Sequence, residues 1–83
     1  MTKLKSDLRN AKVGDWILTL MYGWTKIVFI NKNIEYSVMT ERLSFTLDGK
    51  YFISNKYPTA FVNPPAELIA IYGPKPIEME RMN

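Results

Sequence analysis

The sequence has no cysteine and no histidine. The first absence excludes disulfides, and the two together exclude a zinc site of the usual Cys/His kind. Lacking histidine, the chain also lacks the commonest general base and any histidine switch near neutral pH. The four glycines, Gly14, Gly23, Gly49 and Gly73, are scattered, so there is no glycine-rich phosphate loop. No run of eighteen apolar residues is present, which predicts no membrane-spanning helix. The N-terminal lysines are not followed by an apolar segment, so no signal peptide is expected and the predicted location is the cytoplasm. The acidic residues show no spacing that forces a carboxylate pair together. Catalysis is therefore not expected, and neither a metal nor a cofactor is predicted.

What remains is a globular composition of 83 residues, with 47% hydrophobic, 13% aromatic and 23% charged residues. This is one small domain, and a chain of this length buries only about 60–65% of its unfolded surface. The net charge of +3 is local. Lys3, Lys5, Arg9 and Lys12 against Asp7 account for all of it, and the seven basic and seven acidic residues that follow cancel. The layout reads as a basic arm over 1–12, a folded body over 13–72 and a Pro-containing tail over 73–83. A body without net charge does not favour a nucleic-acid surface; the arm residues Lys3, Lys5, Arg9 and Lys12 are the candidates for phosphate contact.

The body reads as strands. Asp15 to Tyr22 is apolar enough to be covered on both faces. Trp24 to Ile30 is rich in β-branched and aromatic residues. After the turn residues Asn31-Lys32-Asn33, the residues Ile34, Tyr36 and Val38 alternate with Glu35, Ser37 and Met39, as in a strand with one wet face. Leu43, Phe45 and Leu47 alternate with Ser44 and Thr46. Asp48-Gly49 then predicts a two-residue type I′ turn, with Lys50 to Ile53 completing the hairpin. The short apolar run Leu68 to Tyr72 reads as a last strand, with a helical turn from Ala66 as the alternative. Leu4, Leu8 and Ala11 behind a Ser6 cap predict a short N-terminal helical turn that must dock on the body or fray. The predicted fold is mainly β: a small SH3-like, five- to six-stranded antiparallel barrel or half-barrel.

The segments Gly14-Asp15-Trp16, Gly23-Trp24-Thr25-Lys26-Ile27, Phe45-Thr46-Leu47-Asp48-Gly49-Lys50 and Tyr57-Pro58-Thr59-Ala60-Phe61 occur in an order that resembles a group of small bacteriophage- and prophage-encoded proteins. The group's pattern is roughly G-D-x-V, G-W-G-x-V, T-x-D-G-R and P-x-L-F. The likeness spans about residues 13–61. The chain departs from it at Thr25, where glycine is usual, at Lys50 for arginine and at Ala60 for leucine. The resemblance implies a phage accessory protein acting in the host cytoplasm. Such a protein would inhibit a host or defence component by binding a protein or sequestering a small signalling nucleotide. The G-D-x-V opening also recurs in SH3-like barrels that bind RNA polymerase, so a nucleic-acid or transcription-machinery module is the alternative.

Each candidate side chain has a structural and a functional reading. Trp24 caps the barrel or recognises a partner. Asp15 bonds backbone amides at the start of the first strand. Asp48 serves the turn, or pairs with Lys50 or Arg42. Thr40, Ser44 and Thr46 form a wet strand face or a polar ligand site. Tyr51, Phe52, Tyr57 and Phe61 exceed what a core this small requires, so some of them are expected to line a groove or an oligomer interface. Trp24, Thr46 and these four aromatics are the candidate partner-binding set. The doubly apolar strands further predict a homodimer.

Overall fold

The structure is a computed structural model and describes residues 5–76. Five strands form one antiparallel sheet, curled into a half-barrel: β1 (Trp16–Thr19), β2 (Gly23–Ile30), β3 (Val38–Thr40), β4 (Ser44–Phe45) and β5 (Ala60–Phe61). The spatial order is β4-β3-β2-β1-β5. Among the described residues one helix, α1 (Ala66–Tyr72), follows the last strand. Among the described residues no helix is long and apolar enough to cross a membrane.

β1 and β2 pair in register from Trp16 opposite Lys26 to Thr19 opposite Gly23. Their loop, Leu20-Met21-Tyr22, is held by the Thr19 hydroxyl, which donates to the Gly23 carbonyl (2.9 Å) and accepts from the Tyr22 N–H (3.0 Å). Met21 and Tyr22 are thus exposed loop residues, and the strand expected through Tyr22 ends at Thr19. A register shift between Ile27 and Phe29 marks a bulge at Val28. Such an extra residue sharpens the twist of the strand, which helps curl the sheet.

Residues directly opposite in an antiparallel pair share a face. Ile17 lies opposite Thr25, and Ile27, two residues on from Thr25, shares that face; both point inward, where they meet Val38, Phe45, Ala60, Leu8 and Ala11 in the interior cluster. The curl is closed by main-chain bonds across the seam between the two sheet edges. The Gly49 carbonyl accepts from Thr59 (2.8 Å) and Ala60 (2.9 Å), and the Leu47 carbonyl accepts from Leu8 (2.8 Å). The N-terminal segment makes a single turn, Ala11 N–H to Leu8 C=O (3.2 Å), and belongs to the core. A boundary after residue 12 would divide that core. Ser6 is not a helix cap; its hydroxyl donates to the Ala60 carbonyl. Lys3, Leu4 and the tail beyond residue 76 lie outside the described residues.

Other expected elements also differ from the sequence reading. Leu68–Tyr72 belongs to α1, not to a strand. Pro65 starts the helix in extended geometry, Glu67 sits favourably in its first turn, and Gly73 at φ 87° donates its N–H to the Ile69 carbonyl (2.8 Å) to close it. The strand expected from Ile34 begins only at Val38, with Ile34 exposed and Ser37 buried. The turn after β4 is a three-residue loop, Leu47-Asp48-Gly49, in which Gly49 alone has positive φ (77°). Its bonds run from Gly49 N–H to Thr46 C=O (2.9 Å) and from Thr46 N–H to Lys50 C=O (3.0 Å). This is the pattern of a short turn closed by a glycine bulge rather than type I′.

The second apolar face of β1 is covered within the chain. Leu18 and Phe61 face each other across β1 and β5, on the side away from the interior cluster, and both are fully buried. Trp24, opposite Leu18, shares their face. α1 is fastened there by Trp24 Nε1, which donates to the Gly73 carbonyl (3.0 Å), and by the Tyr72 hydroxyl, which donates to the Leu20 carbonyl (2.8 Å).

Candidate functional site

The hairpin that starts at β4 opens after a single pair. Thr46 and Lys50 are bonded, and the next pair outward would be Ser44 with Phe52. That pair is missing because Asn55 takes both main-chain groups of Phe52. The Asn55 carboxamide oxygen accepts from Phe52 N–H (2.7 Å), and the Asn55 N–H donates to Phe52 C=O (3.0 Å). The chain therefore turns away at Tyr51 and Phe52, and Lys50–Ile53 is not a strand. This divergence opens a groove of about 400 Å³ lined by Tyr36, Thr40, Arg42, Leu43, Ser44, Tyr51 and Phe52.

The groove's rings are fixed from behind. Tyr51 lies 6.5 Å from the buried Phe45 ring and 4.4 Å from Phe52, tilted against both. The Tyr36 hydroxyl accepts from Ile53 N–H (3.3 Å). Phe52 is 52% exposed. Arg42 lies over the Tyr22 ring at 5.4 Å, and among the described residues it pairs with no carboxylate. No lining residue is acidic. The Thr40 hydroxyl is committed to the β3–β4 loop: it donates to Leu43 C=O (2.8 Å) and accepts from Arg42 N–H (3.1 Å) and Leu43 N–H (3.0 Å).

The structure divides the expected partner-binding set. Tyr51 and Phe52 come together in the groove. Tyr57 is exposed beside Lys56, whose Nζ lies 5.7 Å from its ring centre, and is not a lining residue. Phe61 is 1% exposed and Thr46 is buried, with its hydroxyl accepting from Lys50 N–H (3.1 Å); neither lines this groove. Trp24 is half-buried and tethers α1. Tyr36, Arg42 and Leu43 join the site unexpectedly. The signal for them was Asn55 three residues after Phe52, a spacing that offers the backbone a side-chain partner in place of a ladder.

Asp15 behaves as expected, accepting from Lys12 N–H through Oδ2 (2.9 Å). Asp48 meets Arg9 (3.4 Å) instead of Lys50 or Arg42. Arg9 also meets Asp7 (3.1 Å), so its guanidinium is engaged by two carboxylates. The Arg9 main-chain N–H, and then its side chain, hold the Asp7 carboxyl below its ordinary range; the bond to Asp7 raises Arg9. Of the phosphate-contact candidates, Lys5 and Lys12 are exposed, and Lys3 lies outside the described residues. Of the apolar faces that suggested a second copy, the one holding Leu18 and Phe61 is buried within the chain, on the side where α1 is tethered; Val28 and Phe29 on β2 remain about half exposed.

Comparison with protein-family models, curated proteins and solved structures finds no match. The resemblance to the phage group rests on the motifs, several of which have structural roles here. Gly23 and Gly49 take positive φ, and Phe61 and Ala60 are core residues.

Proposed function

We propose that this chain is a non-catalytic binding protein, a phage accessory product that captures a host or defence protein in the host cytoplasm through the groove beside β4. The observation that carries the binding reading is the company Arg42 keeps. Tyr36, Tyr51 and Phe52 line the same groove with it, and no acidic residue does. Rings and a guanidinium of this kind are the groups enriched where proteins meet partners. Two other large aromatics of the chain, Phe45 and Phe61, are fully buried, so Phe52 is exposed by the turn at Asn55 and not for want of a core. The motif order supports the phage assignment.

The test is site-specific photo-crosslinking in cells that produce the protein. A photoreactive phenylalanine analogue replaces Phe52 in one variant and the exposed Val13, which lies outside the groove, in another. One protein joined at 52 and not at 13 is the expected result. A nucleotide retained by the purified protein, with no protein joined at 52, would replace the protein partner by a small ligand. Equal labelling at the two positions would remove the groove from the account.

A further inference from the structure

β4 has a vacant pairing position. Thr40 N–H bonds Leu43 C=O, so along the β3–β4 ladder Met39 and Ser44 form the pair without mutual bonds. The Ser44 N–H and C=O therefore point away from β3. The same direction is shown by Thr46, two residues on, whose N–H meets Lys50 C=O. Among the described residues Ser44 has no main-chain or side-chain partner on that side, because Phe52, which would be opposite, is bonded to Asn55. An unpaired edge of this kind is a template for another strand. The groove beside it offers the Tyr51 and Phe52 rings as an apolar wall and Arg42 as its one charged group.

We propose that Ser44 and this groove dock an extended acidic segment of the partner protein. The segment takes the antiparallel place vacated by Phe52. One of its residues exchanges both main-chain bonds with Ser44, an apolar side chain lies on Tyr51 and Phe52, and a carboxylate meets Arg42. Main-chain pairing supplies attachment, and the flanking side-chain contacts supply selectivity. The acidic character follows from charge complementarity, since the lining set is cationic and holds no carboxylate. This inference rests on the binding reading above and specifies its occupant.

The probe is a fluorescein-labelled heptapeptide, Thr-Val-Asp-Ile-Asp-Val-Thr, followed by fluorescence anisotropy and by the amide resonance of Ser44. Saturable binding with a shift of that resonance is expected. Methylating every backbone nitrogen of the peptide should weaken it by about tenfold or more, since a hydrogen bond to a desolvated site is lost. Arg42→Gln should weaken the acidic peptide by about five- to tenfold and leave the version with both aspartates changed to asparagine unaffected. Val13→Thr, at an exposed position outside the groove, should bind as the parent does. Absence of binding up to millimolar peptide overturns the inference, as does equal binding of the methylated peptide. A shift of Ser44 caused by ADP, or by a second copy of the chain, in place of the peptide also overturns it. Crosslinking at position 52 that persists when the peptide fails would leave the binding reading standing without this occupant; loss of both would remove the two together.

Discussion

Gly49 is constrained twice. Its φ of 77° is a conformation that side chains rarely adopt, and a Cβ there would lie 2.6 Å from Ser6 Oγ and 2.9 Å from Ser6 Cβ, with the Ala60 carbonyl also in its way. Strain and overlap are separate costs, each of order 1–3 kcal/mol. Gly49→Ala should therefore destabilise by about 2–4 kcal/mol, read as a lower urea midpoint at unchanged slope. The Asp48-Gly49 pair was legible as a turn because only glycine suits that backbone. The second constraint was not, since Ser6 and Ala60 reach the glycine from opposite ends of the chain. Phe52 is the contrasting residue. It is half exposed and its main chain is held by Asn55. Phe52→Ala should lower stability by less than about 1 kcal/mol while removing partner capture. A large loss of stability would show that the ring is structural.

At the scale of elements, the strands were readable where apolar residues form long runs. The strands β1 and β2 followed from the two apolar runs flanking Gly23, although β1 stops at Thr19 and β2 starts at Gly23 itself. Lys50–Ile53 was misread because its alternation is that of a strand, while the Asn55 side chain outcompetes the ladder for Phe52. Leu68–Tyr72 was read first as a strand because five apolar residues suit strand and helix alike, and the helical alternative from Ala66 is the one the structure has. The deciding signals were Pro65 before the run and Gly73 after it. α1 has no buried residue of its own, yet it is fastened on the face that holds Leu18 and Phe61. Ending the chain after Pro65 should uncover that face. The expected readings are a red-shifted tryptophan emission as Trp24 loses Gly73, and a loss of about 2–4 kcal/mol from newly wetted apolar surface. An unchanged spectrum and midpoint would show that α1 covers nothing that matters.

At the scale of the whole molecule, the half-barrel is held shut by contacts between distant parts of the chain. Ser6 meets Ala60 across 54 residues, and Leu8 meets Leu47. The β1–β2 pair, by contrast, is joined by a three-residue loop. Loop-closure entropy makes the hairpin the cheaper contact to form and the seam the more expensive one. Folding on a time of milliseconds to seconds is expected, as for other small β folds dominated by non-local pairing. The order of events can be tested through two buried side chains. Leu8 is fully buried in the interior cluster, so Leu8→Ala should cost about 2–5 kcal/mol. If the N-terminal segment docks last, nearly all of that loss falls on the unfolding rate and the folding rate barely changes. Ile17→Val in β1 removes one methyl from the same cluster and costs about 0.5–1.5 kcal/mol. If β1–β2 forms early, as its three-residue loop favours, that smaller loss should slow folding by a measurable fraction. Stopped-flow chevrons of the two variants decide the matter. Slower folding in Leu8→Ala, with unfolding unchanged, would place the seam in the nucleus and reverse the order.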